Sequence, residues 1–341
     1  MDSNFQSLLT ILKSKLLINR PNIKPFIEIV TPAPQGSLHG NRITALRWQN
    51  FLEKLGYAVV VTEFWSGEDV SMLIALHAYR SHASIMAFHE QYPNRPIILV
   101  LTGTDLYRDM AVHDEVVRSM EMADQLIVLQ SSALDSIPPH LRYKTRVIYQ
   151  SVQVDTSNIV TSTDFPVIII GHLREEKDPF CIARCLPLMP LNSKISVLHL
   201  GMAMNEQMEL AARGYSETLE HYQWIGEVSH ADALKALSQS RLMVISSRME
   251  GGAHVVSEAI ALGVPVIASD IPGNRGLLGD DYLGYYPVGN ETALANVLSR
   301  AETMPDFYSA LKKQIEIRKD LVSPDREMQS IQELMISLLL A

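Results

Sequence analysis

The sequence predicts two α/β domains stacked across a cleft. Three observations carry that expectation. The chain has 341 residues, too many for one ordinary hydrophobic core and suited to two. In both halves, apolar strand-like runs alternate with helix-length segments, the pattern of βαβ units on a mostly parallel sheet. Near residues 155–165 a polar, β-branched stretch with little helical pattern separates the two series and is read as the linker.

Residues 1–24 are expected to form an extension or a short helix. Leu8, Leu9, Leu12 and Leu16 share one helical face, while Lys13 and Lys15 lie elsewhere. The apolar run is too short to cross a bilayer. The N-terminal domain is placed at 25–160. Its strands are FIEIVTPA (26–33), YAVVVTEF, VSMLIALHA ending at His77, RPIILVLTG, QLIVLQ and TRVIYQS. ITALRWQNFLEKLG between the first two reads as a helix, with Ala45, Leu46, Trp48, Leu52 and Leu55 apolar, Asn41 as N-cap and Gly56 as its end. Further helices are expected at Ser81–His89, around Asp114–Met122, and briefly in SSALDSIP.

The C-terminal domain is placed at 161–325. PVIII, ISVLHLG, RLMVISS, VPVIASD and YLGYYPV are its strands, with YQWIGEV at 222–228. HADALKALSQS and GGAHVVSEAIALG are its helices, and NETALANVLSRAE follows the last strand. Residues 306–341 read as helical with an interruption at Pro324, and 326–341 as a final helix able to pack back on the N-terminal domain. Open parallel sheets bind ligands beyond the carboxyl ends of their strands, so the cleft is where chemistry is expected.

Composition narrows the partners. Net charge is −9, with 47% apolar and 20% charged residues. This excludes a global electrostatic case for nucleic acid or anionic membrane, and leaves small-molecule substrates. Cys181 and Cys185 are spaced i,i+4 in an expected helix and cannot make a four-ligand metal site. They read as semi-buried helical thiols in a reducing, cytoplasmic compartment. A homodimer is compatible with the sequence.

The most informative segment is SSRMEGGAHVVSEAIALGVPVIASD, residues 246–270. Glu250 follows a strand, and Glu258 lies eight residues on, so the two carboxylates sit at different depths. Gly251 and Gly252 would let a ligand approach a helix N-terminus, where free N–H groups and the helix dipole stabilise a phosphate. A carboxylate further along could accept ribose hydroxyls. The competing reading is a plain helix start with a surface glutamate.

Other loops follow strands in the same way. GHLREEKDP, residues 171–179, offers His172, Arg174 and Lys177, or is a charged surface turn. GSLHGNRITALRW, residues 36–48, offers Gly40, Arg42 and Arg47 at a loop and helix start. LTGTDLYRD supplies Thr102, Thr104, Asp105 and Arg108, and LHAYRS supplies His77 and Arg80. Several cations facing one cleft would suit an anionic substrate.

The 246–270 segment resembles retaining GT-B glycosyltransferases of the large family that includes sucrose and trehalose-phosphate-type synthases. Glu250, Glu258, Ala261, Gly263, Pro265 and Val266 carry the resemblance, and Gly171, Leu173 and Lys177 match a second element. It implies a GT-B fold: two Rossmann-like α/β domains with a cleft between them. It implies that Glu258 holds the donor ribose and that Glu250 lies near the sugar hydroxyls. Gly251, Gly252, Ala253, His254 and Val255 would lie along the donor diphosphate and sugar. Lys177 would neutralise the leaving diphosphate. His172 stands where the family carries arginine, a departure for which Arg174 could compensate. After VPVIASD the chain also departs, with Asn274 and Arg275 in place of the usual glycine-rich turn and glutamate.

HGNRITALRW, ALHAYRS, LTGTDLYRD, GHLREEKDP, MEGGAHVVSEAIA and GNRGLLGDDYLGYYPVGN together resemble the selenosugar synthases of selenoneine biosynthesis. That resemblance implies transfer of N-acetylglucosamine from UDP-N-acetylglucosamine to selenophosphate. Selenophosphate is a strong nucleophile, so cations and alignment would matter more than a base. On this reading His77, Asp105, Lys177 and Glu250 serve the chemistry, with His77 or Asp105 orienting water for phosphate removal. Gly40, His172, Arg174, Lys177, Gly251–Val255 and Glu258 bind the donor. Arg42, Arg47, Arg80, Thr102, Thr104, Arg108, Asn274 and Arg275 bind substrate. No tightly bound cofactor or protein-bound metal is expected, and magnesium on the donor is compatible.

Three alternatives remain at this level. An ordinary hexosyltransferase with a hydroxyl acceptor shares the donor motifs. A nucleotide-sugar epimerase shares the fold but would need acid/base groups for elimination. A non-catalytic nucleotide-sugar sensor would bind without turnover. A dinucleotide oxidoreductase is disfavoured, because Gly36 and Gly40 lack the required glycine spacing.

Overall fold

The computed structural model describes residues 25–37, 40–154 and 165–339. The expected N-terminal helix and most of the linker lie outside these. The described N-terminal part carries β1 (Phe26–Val30), α1 (Gly40–Lys54), β2 (Ala58–Thr62), β3 (Met72–Leu76), α2 (His82–Gln91) and β4 (Ile97–Leu101). It continues with α3 (Thr104–Tyr107), α4 (Asp114–Met122), β5 (Gln125–Val128) and β6 (Thr145–Val147). SSALDSIP forms a 3₁₀ turn rather than an α-helix. Asn41 lies inside the first turn of α1 rather than capping it, because the helix already starts at Gly40, whose carbonyl accepts from Thr44 Oγ1 at 2.9 Å.

The second part carries β7 (Phe165–Ile170), α5 (Cys181–Cys185), β8 (Ile195–Leu200), α6 (Glu206–Thr218), β9 (Tyr222–Gly226) and α7 (His230–Ser238). Then come β10 (Leu242–Ile245), α8 (His254–Leu262), β11 (Val266–Ser269), α9 (Pro272–Leu278) and β12 (Tyr285–Tyr286). α10 (Glu291–Thr303), α11 (Pro305–Arg318) and α12 (Pro324–Leu339) follow, with the expected break before Pro324.

Both sheets are wholly parallel, in orders β2-β1-β3-β4-β5-β6 and β12-β11-β10-β7-β8-β9. Strands buried on both faces explain the near-continuous apolar runs in the sequence. In β4, Ile97, Leu99 and Leu101 point to one apolar layer and Ile98 and Val100 to the other. The second layer is closed by Ala45, Trp48, Phe51 and Leu52 of α1, and also by Ile331, Leu334 and Met335 of α12. The last helix therefore completes the core of the first domain. Its Glu327 is fully buried as a side chain and accepts from Trp48 Nε1 (2.9 Å), Arg47 Nε (2.8 Å) and the Ser151 N–H (2.7 Å).

Sheet order reverses between β1 and β3, and again between β7 and β10. These two switch points open crevices at the carboxyl ends of the strands. The domains meet beside them along a glycine seam. A Cβ on Gly251 would lie 2.3 Å from the Thr102 carbonyl oxygen and 2.5 Å from Gly103 Cα. One on Gly252 would lie 2.9 Å from Leu129 Cβ, and one on Gly276 1.7 Å from Gln130 Oε1. Gly103 has φ +125°, which only glycine adopts readily. Gly251→Ala would push backbone against backbone. It is expected to cost about 1–3 kcal/mol in denaturant unfolding and to enlarge the radius of gyration in small-angle scattering. Unchanged stability together with unchanged dimensions would show that the seam is not a tight contact.

Candidate functional site

The β7/β10 switch point gathers three of the expected donor-side residues. The loop after β7 is fastened to the end of β10: Ser246 Oγ donates to the carbonyls of Lys177 (3.0 Å) and Asp178 (2.8 Å), and the Arg248 N–H to the Glu176 carbonyl. This brings Lys177 Nζ into a short ion pair with Glu250 Oε1, which also accepts from Ser247 Oγ at 2.6 Å. Ser247 is in turn held by Ser269 Oγ, which donates to its carbonyl at 2.5 Å.

α8 starts at His254 behind Ala253, with no side-chain cap. In contrast, Asn205, Ser229 and Asn290 cap α6, α7 and α10. The Val256 and Ser257 N–H groups donate to the Ala253 carbonyl, and those of His254 and Val255 ahead of them are left for a ligand or water. Gly251 and Gly252 turn their bare sides to Thr102, Gly103 and Leu129. The missing side chains thus admit the neighbouring domain, rather than leaving open space for a ligand.

One turn into α8, Glu258 is only 5% exposed. Its Oε1 accepts from His230 Nε2 (2.7 Å) and His254 Nδ1 (3.0 Å), while Oε2 takes no hydrogen bond from the described residues. Burial alone would raise its pKa, but the two imidazole hydrogen bonds outweigh it, and the carboxyl is held below its ordinary value. His230, by the same hydrogen bond and despite some burial, is raised.

At the β1/β3 switch point His77 follows β3 with φ 74°, a strained backbone for a non-glycine residue. Its Nδ1 accepts from the Arg80 N–H at 3.4 Å, leaving Nε2 to face Thr104 Oγ1 at 3.0 Å and Asp109 at 3.7 Å. Burial lowers its pKa, opposed by Asp105 and reinforced by Arg80, so His77 is a neutral hydrogen-bonding group near neutral pH. Asp105 has a different task from the expected one. It is wholly buried and accepts from the N–H groups of Ala78, Thr102, Gly103 and Leu106, which locks the ends of β3 and β4 together. That makes it a positioning residue for His77 and the seam, not an orienter of water.

The expected substrate-binding cations divide. Arg42, in the first turn of α1, is 7% exposed, and its Nε is buried without a partner among the described residues. Side chains in a helix lean towards its N-terminus, so this charge lies at the head of α1. Arg47 is turned away from a substrate role. It pairs with Glu327 and reaches His254 Nε2 with Nη1 at 3.4 Å. Arg108 pairs with Asp109 and is largely exposed, and Arg80 is exposed. Arg275 is held in a bidentate pair by Asp270 (2.6 and 2.8 Å). Asn274 is fully buried and donates to Ser269, so it braces the site loop from behind and cannot touch a substrate in the cleft.

On the donor side, Arg174 lies on the surface beside Glu176. His172 Nδ1 accepts from the Met202 N–H at 3.2 Å. Gly40 is exposed at the head of α1. Cys181 and Cys185 are fully rather than partly buried, and burial foremost pushes their thiols up to about 11 and about 12. They are packing residues. Sequence reasoning missed Ser247, His230, Asp109 and Glu327. His230 had one usable signal, its place at a strand-to-helix junction directly after the N-cap Ser229. Among the described residues no group of three or more His, Cys, Asp or Glu could hold a metal ion, and no helix is long and apolar enough to cross a membrane.

Residues 156–318 match the family model "Glycosyl transferases group 1". A Glycosyltransferase 1 domain-containing protein 1 from Xenopus tropicalis is 22% identical over 275 residues, 72% of this chain and 79% of that protein. A phosphatidyl-myo-inositol mannosyltransferase from Mycobacterium leprae is 32% identical over 138 residues, 39% of this chain and 36% of that protein. Among solved structures, Anabaena HepE in complex with UDP and glucose superposes with TM-score 0.71 at 14% identity, covering 92% of this chain and 100% of that one. Sucrose-phosphate synthase from Thermosynechococcus elongatus gives 0.73 at 16% identity, covering 93% and 99%. The architecture is the GT-B fold, two Rossmann-like domains facing each other across a cleft.

Proposed function

We propose that this chain is a GT-B glycosyltransferase that uses a UDP-sugar or another nucleotide-sugar donor. The observation that carries the reading is the convergence at the β7/β10 switch point of the Lys177–Glu250 pair, the uncapped start of α8, and Glu258 with one free carboxylate oxygen. Glu258 Oε2 accepts a ribose hydroxyl. The first N–H groups of α8 receive the diphosphate. Lys177 offsets the charge that grows on the diphosphate as the glycosidic bond breaks, and Glu250 contacts the sugar hydroxyls. The matched relatives and structures name sugars and UDP, which favours this reading over an epimerase or a silent sensor.

The finer reading is transfer of N-acetylglucosamine from UDP-N-acetylglucosamine to selenophosphate. Selenium would attack the anomeric carbon as the bond to UDP breaks, and water would then cleave the phosphorus–selenium bond. That reading rests on the N-terminal motifs. What supports it is Arg42, a buried guanidinium with no counter-charge among the described residues, which suits an anionic acceptor. Transfer to a hydroxyl acceptor is what the matched relatives support better. Mass analysis of products from pure protein with UDP-N-acetylglucosamine or UDP-glucose, offered selenophosphate, thiophosphate or a sugar phosphate, decides between them. Arg42→Met is expected to raise the acceptor KM about ten-fold or more, the loss of one charge-assisted hydrogen bond, with little change in UDP affinity. An unchanged acceptor KM would remove Arg42 from the acceptor site.

A further inference from the structure

We propose that His254 and Arg47 form a positioning pair that couples occupation of the nucleotide site at Glu258 to the seating of α1 and α12 in the neighbouring domain. The proposal rests on the reading of Glu258 as the ribose ligand, and it goes beyond that reading by adding a route across the cleft.

Arginine has only donors, so His254 Nε2 must accept from Arg47 Nη1 at 3.4 Å. That assigns the proton of a neutral His254 to Nδ1, where it is donated to Glu258 Oε1 at 3.0 Å. A directed chain therefore runs Arg47 to His254 to Glu258, from α1 of one domain to α8 of the other. The far side of Arg47 is fixed by Glu327 of α12, the helix that completes the first domain's core. The sequence of contacts spans three helices and crosses the interface. A ribose hydroxyl on Oε2 changes the charge felt at Oε1, hence the donation from His254, hence the hold on Arg47. Arg47 Nη2 is buried without a partner among the described residues, so the junction retains spare donor capacity and is not a saturated structural ion pair. Couplings carried by such physically contiguous contacts are typically 5–150-fold in affinity.

The test is a double-mutant cycle on UDP affinity, measured by calorimetry on the full chain and paired with denaturant unfolding. His254→Asn retains a donor towards Glu258 but is too short for Arg47. Arg47→Met is expected to weaken UDP binding about five-fold or more in the native background and to have no effect in His254→Asn. Its cost to unfolding stability should be the same in both backgrounds, since Glu327 loses its cationic partner in each. A merely structural Arg47 would give additive effects on UDP affinity, and that outcome overturns the proposal, as does native UDP affinity in Arg47→Met. Should Arg47→Met fail to fold, Arg47→Lys keeps the charge for Glu327 but lacks the fork that also reaches His254, and it is expected to show the same lost coupling. Glu258→Ala serves as the control. If it leaves UDP affinity unchanged, the nucleotide-site reading fails. If it weakens UDP while the cycle is additive, the coupling alone fails.

Discussion

Lys177→Met is expected to lower kcat by about 10²–10³-fold, the usual cost of removing one fixed charge stabiliser from a transition state. The effect belongs in kcat because the diphosphate oxygen gains charge as the glycosidic bond breaks, so the ammonium matters more in the transition state than in the ground state. Lys177 is well placed for this. Ser246 fixes its backbone, and Glu250 holds its ammonium in the crevice. The substitution also leaves Glu250 with Ser247 as its remaining side-chain partner. A half-sequestered carboxylate without its cation costs stability, so the variant should also unfold more easily. Lys177→Arg restores the charge but not the compact geometry, and is expected to recover only part of kcat. Steady-state kinetics with a saturating nucleotide-sugar reads both variants. Native kcat in Lys177→Met would mean that the diphosphate leaves elsewhere.

Glu258→Gln should weaken UDP binding about 10–100-fold, since a hydrogen bond to a charged acceptor contributes about 1.5–3 kcal/mol. The amide keeps the shape but loses the charge, and it cannot accept equally from His230, His254 and a ribose hydroxyl. The pair also sets a pH window. The Glu258 carboxyl is held low, so its contribution is complete above its unfolded value and is lost as pH falls through the folded one. His230 is raised, so its contribution is complete below its unfolded value and fades as pH rises through the folded one. Stability towards unfolding should therefore hold between the lowered carboxyl and the raised imidazole and fall on the acid side in Glu258-dependent fashion. Calorimetry across that range on native and Glu258→Gln protein tests it, and identical profiles would remove Glu258 from the linkage.

The C-terminal candidate site was legible because most of its residues are local to one segment. Glu250, Gly251, Gly252 and Glu258 lie on one strand–turn–helix, so their spacing alone puts them near one another, whereas Lys177 was expected there from the resemblance and joins them through the pairing of β7 with β10. The N-terminal half was less legible because a charge in a loop does not declare its partner. Arg47, Arg108 and Arg275 read alike in sequence, yet Glu327, Asp109 and Asp270 neutralise them. Asp105 looked like a candidate for chemistry and proved to be tied to four backbone amides.

By itself the sequence determined the fold class, the two parallel sheets and the strand-end segments that carry Lys177, Glu250 and Glu258. Hydrophobic period and turn residues are short-range properties, and they are written where they act. Tertiary structure alone decided that Gly251 and Gly252 admit the neighbouring domain, that His230 joins Glu258, and that α12 returns to complete the first core. Those outcomes depend on contacts between residues tens to hundreds of positions apart. Close packing and the pairing of buried charges select them, and neither is visible until the chain has folded.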